Sequence, residues 1–356
     1  MNRFTCDSGY ENDLKEYTEQ ILEKNGVSSQ AAEREIMCMA DEGNTVAGKL
    51  YADLVFYKKI LRKNPYREAF DLYLQSAGIT ITDAGEWRCS GVSYPLSFWT
   101  IGYYLVNYHR ESSLQKCETI ERIEKMSMNE RLSIALELAT ACITYINASG
   151  AINLVGRILR EAAENEETFN ALLPVIHETV SDRDFPEISL KVTACNTAAQ
   201  CSAIAELFFA TSAQEGYVYA CNNLAAREAN RIIRMSKSGK DDEFLKECIM
   251  KYIHYLKISA DKYEPYAANR LGLFYMTGEI KGSDGRITCR DYIDTAMAKT
   301  YFTKATVYPD ANSAWAFFNL IKYFHKDYDN DIDLLNEHMD YIKELNPAVY
   351  DIAIEL

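Results

Sequence analysis

A chain of 356 residues, 48% hydrophobic and 25% charged, holds enough apolar material for one elongated array or two ordinary domains. Its formal charge of −14 argues against nucleic acid as the partner, since binding a polyanion needs a basic surface that releases counterions. With only 7 prolines and 16 glycines the chain has few breakers, which excludes a many-turned β fold and favours helices.

Helical periodicity begins with Leu14, Tyr17, Ile21 and Leu22 on one face, stopped by Asn25-Gly26. Ser28 or Ser29 caps a next helix with Ala32, Ile36 and Met39 inward, closed by Gly43. Thr45 to Leu61 reads as another helix, stopped at Asn64-Pro65, and Tyr66 to Ala77 as the one after. Residues 78–95 read as a long loop with room for a short hairpin, because Ile79 to Thr82 alternate and Gly85, Gly91 and Pro95 punctuate. Helical pattern then resumes from Leu96, with an internal boundary at Ser181 to Pro186 and a second long loop over 279–290. The expected divisions are a helical cap over 1–44, an irregular repeat half over 45–180, a linker over 181–187 and a more regular half over 188–356.

No stretch has the apolar length of a membrane span, the N-terminus MNRFTCDSGYENDLK carries no signal-peptide pattern, and the ten cysteines have no repeated spacing. They read as free thiols buried as small hydrophobes, and the compartment as cytoplasmic. Most of the 25 tyrosines are expected to place the ring in the core and the hydroxyl at its edge.

A repeat organises the second half. Ala220, Ala267 and Ala314 stand 47 residues apart, as do Leu224, Leu271 and Phe318, and Ala225, Gly272 and Asn319. A large apolar residue followed by a small one suits stacked helical hairpins, where the first fills the core and the second admits the neighbouring helix. Looser copies are Ile101-Gly102 with Leu105 and Val155-Gly156 with Leu159.

Within this pattern Ala267, Leu271, Gly272, Tyr275 and Gly278, then Asp294, Ala298, Tyr301, Phe302, Lys304 and Ala305, resemble the Sel-one-like repeat, a relative of the tetratricopeptide repeat. The run D-x-x-x-A-x-x-Y-F-x-K-A matches its second helix, and the turn between Gly278 and Asp294 is about ten residues longer than that family's usual turn. Ala69, Leu72, Tyr73, Gln75 and Ala77 resemble another second helix, with Pro65 where the family has aspartate. The resemblance implies an all-α fold of antiparallel helix hairpins stacked into a right-handed solenoid, a binding role as adaptor or scaffold, and no catalytic residues.

Three asparagines recur in an A-x-N pattern at Asn153, Asn222 and Asn269, each two residues before the large apolar position. Asparagine is a poor helix-interior residue, so three in register need a reason. In the tetratricopeptide-like register this position faces the concave groove, where an amide could clamp an extended peptide backbone. The competing reading is a set of amide bonds between neighbouring helices. Groove candidates beside them are Trp99, Tyr103, Arg157, Arg160, Asn223, Tyr266, Arg270 and Tyr323, with Arg157 and Arg160 suited to a carboxylate or phosphate.

The remaining chemistry is bland. Lys49, Lys58, Lys59, Arg62, Lys63 and Arg67 read as a solvated face. Asp327, Asp329, Asp331 and Asp333 alternate like a calcium loop, but Ile332 and His338 stand where that loop needs glycine and glutamate. The five histidines are dispersed, and no metal, nucleotide or nucleophile motif is present, so no cofactor or metal is expected. The leading expectation is a scaffold that engages a protein or peptide on its concave face. The alternatives are a bacterial regulator gated by a peptide or small ligand, and an enzyme using the loops at 78–95 and 279–290.

Overall fold

The computed structural model describes residues 30–56, 62–90, 93–107, 120–180, 186–238, 242–329 and 331–355. The helix expected around Leu14 to Leu22, and Lys58 and Lys59, lie outside them. The chain divides into two compact units, Met1–Glu215 and Gly216–Leu356. The expected linker at 181–187 falls within the first; of it, 181–185 lie outside the described residues, and the helix after it packs with helices of that same unit.

Unit 1 runs through α1 (Gln30–Asp41), α2 (Thr45–Phe56), α3 (Pro65–Ser76), β1 (Ile79–Ile81), β2 (Trp87–Cys89), α4 (Pro95–Asn107), α5 (Glu121–Glu124), α6 (Met128–Ile146), α7 (Ser149–Ala163), α8 (Glu166–Thr179), α9 (Pro186–Thr193) and α10 (Ala198–Gln214). Successive helices pack pairwise from α1 to α4, then α4 with α6 and α6 with α7. The partner of α7 is not its successor but α10, while α8 and α9 form an excursion, α8 covering α6 and α7. This excursion lengthens the step from Val155 to Leu224 to 69 residues. The stretch 78–95 contains the short antiparallel hairpin, with Ile79 opposite Cys89 and Ile81 opposite Trp87.

The small residues do what close helix approach requires. A Cβ on Gly102 would stand 3.1 Å from Leu154 and 3.3 Å from the Ala135 carbonyl, and one on Gly156 would stand 2.8 Å from the Phe209 ring. Buried tyrosines keep a polar partner: Tyr104 donates to the Tyr66 carbonyl at 3.1 Å and Tyr73 to Asp53 at 2.7 Å. Two members of the basic stretch have acidic partners, Lys49 on Asp53 at 2.5 Å and Arg62 on Glu68 at 3.6 Å, with Arg62 also on the Tyr51 hydroxyl.

Unit 2 is three helix hairpins and a cap: α11 (Val218–Ser238) with α12 (Asp242–Asp261), α13 (Pro265–Thr277) with α14 (Thr295–Lys304), α15 (Ser313–Tyr323) with α16 (Ile332–Leu345), then α17 (Pro347–Ala353). The 47-residue register is structural. Ala220, Ala267 and Ala314 are fully buried in the first helix of each hairpin, and Leu224, Leu271 and Phe318 are buried one turn on. The second-helix run beginning at Asp294 explains itself residue by residue. Asp294 caps α14 by accepting from the Met297 amide at 2.9 Å. Ala298, Tyr301, Phe302 and Ala305 are buried, and Lys304 reaches back to Asp261 at 2.8 Å. The fold is thus all-α, built of stacked helix hairpins, and two departures from helix are inserted hairpins of strands.

Residues 279–290 are one of these. Read from sequence as a loop, they form β3 (Glu279–Gly282) and β4 (Gly285–Thr288), followed by a 3-10 turn. The driving force is Ile280, fully buried in the core with Tyr252 and Phe274. Among the described residues all eight cysteines are free, five of them buried.

At the C-terminal end, Asp331 caps α16 and Asp327 pairs with Lys299 at 2.8 Å, so two of the four alternating aspartates serve the fold. His338 Nδ1 lies 2.9 Å from the Tyr328 hydroxyl with its ring against Phe317. Burial pushes its pKa below the usual imidazole value, against a smaller opposing pull from Glu337. As pH falls below the ordinary histidine value the unfolded chain takes up this proton first, so stability falls. Thermal melts at pH 7.5 and 5.5 should therefore show a larger loss for wild type than for His338→Gln; equal losses would contradict the assignment.

Candidate functional site

The asparagines expected to face a ligand are placed close to helices of the same chain. Asn222 on α11 donates through Nδ2 to Glu264 Oε2 at 2.9 Å. Glu264 in turn caps α13, accepting from the Ala267 amide at 2.7 Å and from the Tyr266 amide at 3.3 Å. Asn269 on α13 accepts from Asn319 of α15 at 2.9 Å. One hairpin is thereby tied to the next by side-chain amides between first helices. Asn153 is buried in α7.

In unit 1 the candidates Tyr103 and Arg157 meet around Asn107. Arg157 donates to the Asn107 side-chain oxygen, its guanidinium lies 5.7 Å from the Tyr103 ring centroid, and Asn107 donates to the Tyr103 carbonyl at 2.8 Å. Arg160 lies over Phe209 at 5.3 Å, and Trp99 fills the space left by Gly150, where a Cβ would stand 2.8 Å from its ring. Trp99 and Arg160 thus pack against Gly150 and Phe209. In unit 2, Tyr323 stacks on Phe302 at 6.3 Å, Asn223 is half-buried on α11, and Tyr266 is exposed.

Arg270 leads to a feature that sequence reasoning missed. Its Nη2 donates to the Lys281 carbonyl on β3 at 2.5 Å. The hairpin lies back over the first helices: β3 packs on α11 and α13, and β4 on α11. Three further α11 side chains hold its tip. Asn230 accepts from the Asp284 amide at 3.4 Å, Lys237 donates to the Asp284 carbonyl at 2.6 Å, and Arg234 pairs with the Asp284 carboxylate at 3.2 Å. Gly282 sits against the Asn230 amide so closely that any Cβ there would overlap it. The available signal was the spacing of Arg227, Arg231, Arg234 and Lys237, a basic stripe on one face of α11 in an acidic chain.

No family model matches the chain, and no curated protein matches it. Among solved structures it is similar to a Sel1 repeat protein from Oxalobacter formigenes, at 12% identity over 98% of this chain and 95% of that one, with a TM-score of 0.32. The repeat architecture described above is carried by the chain's own register of buried residues and helix pairs.

Polar atoms under the first-helix face are unevenly satisfied. The Tyr252 hydroxyl, Asn222 Oδ1 and Glu228 Oε2 are buried without a hydrogen-bond partner. Burial raises the Tyr252 pKa, with the nearby Arg270 charge opposing. Glu228 lies 3.5 Å from Arg227 and 3.9 Å from Arg231, and the Arg231 guanidinium covers Phe244 at 4.6 Å. The arrangement offers cations and amides to main-chain carbonyls and carboxylates. Among the described residues no group of histidine, cysteine and carboxylate side chains is placed to hold a metal, and no helix is long and apolar enough to cross a membrane.

Proposed function

We propose that this chain is a protein- or peptide-binding scaffold whose first helices present the contact face. One observation supports the reading above others: Arg270, Asn230 and Lys237 grip main-chain atoms of a strand and its turn, at Lys281 and Asp284, which is chemistry that holds a peptide backbone irrespective of its side chains. Tyr266, Asn223 and Arg270 in unit 2, and Tyr103 and Arg157 in unit 1, are then the side chains that meet a partner. Asn222 and Asn269 act from behind, by fixing the helices that carry them, and Asn153, Arg160, Trp99 and Tyr323 do the same through packing.

Selection of a displayed random-peptide library on the immobilised chain tests this. Enriched peptides are expected to bind wild type and to lose about tenfold in affinity, or roughly 1.4 kcal/mol, with Arg270→Ala or Tyr266→Ala. These two exposed or half-buried sites leave the inter-helix amides intact. An absence of enrichment, or binding insensitive to every first-helix substitution, would remove the reading.

A further inference from the structure

The β3–β4 hairpin is anchored unequally at its two ends. Its root is part of the core, since Ile280 is fully buried and the Cys289 amide donates to the Gly278 carbonyl at 2.8 Å. Its tip is held by polar contacts at the surface: the Arg234 side chain is 67% exposed and the Asp284 side chain 34%. Opening of the tip alone would break these polar contacts and uncover the buried Ile233 beneath it while leaving the root folded.

The seat itself is specific. Arg270 reads the carbonyl before the turn, Lys237 reads a carbonyl within it, and Arg234 reads the turn's carboxylate. A Cβ at Gly282 would overlap the Asn230 side-chain oxygen, so a larger residue there displaces either that side chain or the tip. A second glycine, Gly285, has φ +127 and closes the two-residue connection, which the ordinary backbone of other residues would strain.

We propose that the hairpin tip is an internal stand-in ligand, and that the α11–α13 seat receives from a partner protein a tight turn with an aspartate between flanking glycines. This rests on the binding-scaffold reading and adds the partner's chemistry and a control: the partner turn and the chain's own tip compete for one set of donors. While the tip is seated, apparent affinity in trans is reduced by the fraction of molecules in which it has left.

The probe is a fluorescein-labelled, disulfide-cyclised peptide bearing Glu-Ile-Lys-Gly-Ser-Asp-Gly-Arg-Ile-Thr, with a version in which its aspartate is lysine as the control. It is titrated against the full chain by anisotropy, and hydrogen exchange of the amides at 282–286 reports whether the tip is seated. Two variants release the tip by different means. Asp284→Lys places a cation against Arg234 and Lys237, and Gly282→Val places a side chain into Asn230. Both are expected to lose protection at the tip and to bind the probe about tenfold or more tightly than wild type. Adding Arg270→Ala should abolish that gain, and the control peptide should not bind. Released tips with no gain in probe affinity would overturn the proposal, as would tips equally protected in wild type and both variants. Library peptides that bind a released variant without competing with the probe would overturn it while leaving the scaffold reading standing. Failure of the library on every variant would overturn both.

Discussion

Gly272→Ala should destabilise unit 2 by about 2 kcal/mol, although alanine is the better helix former. In a helix interior that exchange gains about 1 kcal/mol when nothing opposes it. Here the new Cβ would stand 2.5 Å from Cδ1 and 2.6 Å from Cε1 of Phe302, well inside van der Waals contact. Phe302 has no room to yield, being fully buried and stacked against Tyr323 of α15. Overpacking of this kind costs roughly 1–3 kcal/mol and this overlap lies at the upper end, so repulsion outweighs propensity. Gly102→Ala provides the contrast: its nearest atoms are at 3.1 and 3.3 Å, and its net effect should be within about 0.5 kcal/mol of zero. Urea melts of Gly272→Ala, Phe302→Leu and the double variant test the cause. If the ring is responsible, the double variant loses less than the sum of the singles; additive losses would refute it.

Glu264→Ala should cost about 3 kcal/mol, whereas Glu264→Gln should be neutral or stabilising at pH 7. The carboxylate caps α13 through the Ala267 amide and accepts from Asn222, so alanine removes a cap worth about 1–2 kcal/mol and strands a donor worth about 1–3 kcal/mol. Glutamine keeps an oxygen for the cap. With that oxygen at the Oε2 position it keeps the bonds from both the Ala267 amide and Asn222, and only the longer bond from the Tyr266 amide is lost while the buried charge disappears. The pH dependence tests whether burial of the Glu264 charge is the cause. Burial raises the Glu264 pKa above the ordinary carboxylate value, opposed by the bonds from Asn222 and the two backbone amides. The folded chain therefore keeps this proton to higher pH than the unfolded chain, and stability falls as pH rises from the ordinary value through the raised one. Calorimetric melts across that interval should show this fall in wild type and not in Glu264→Gln. A glutamine variant with the same slope would show that another group titrates.

The asparagine pattern shows how far sequence reading reaches. Asn222 and Asn269 were conspicuous because a helix interior disfavours them, and the regular spacing implied a shared role. Whether an amide in such a position meets a ligand or a neighbouring helix depends on which side chain stands opposite. That side chain is Glu264 in one case and Asn319 in the other, 42 and 50 residues away. The hairpin at 279–288 was missed for a related reason. Each strand is only 4 residues long, too short for alternation to declare itself, although Asp284-Gly285 is a known hairpin signal.

By itself the sequence determined the all-α class and the 47-residue register of unit 2, and it marked the run from Asp294 to Ala305 as the second helix of a hairpin. These are properties of local periodicity, capping and the need to bury one face of each helix, and they repeat wherever the pattern repeats. Only the tertiary structure decided that α7 pairs with α10 across an excursion, that the compact units part at Glu215/Gly216, and that the face of α11 and α13 carries the chain's own hairpin. Those depend on which of several apolar or basic faces meet across long separations, and spacing along one chain does not encode that choice.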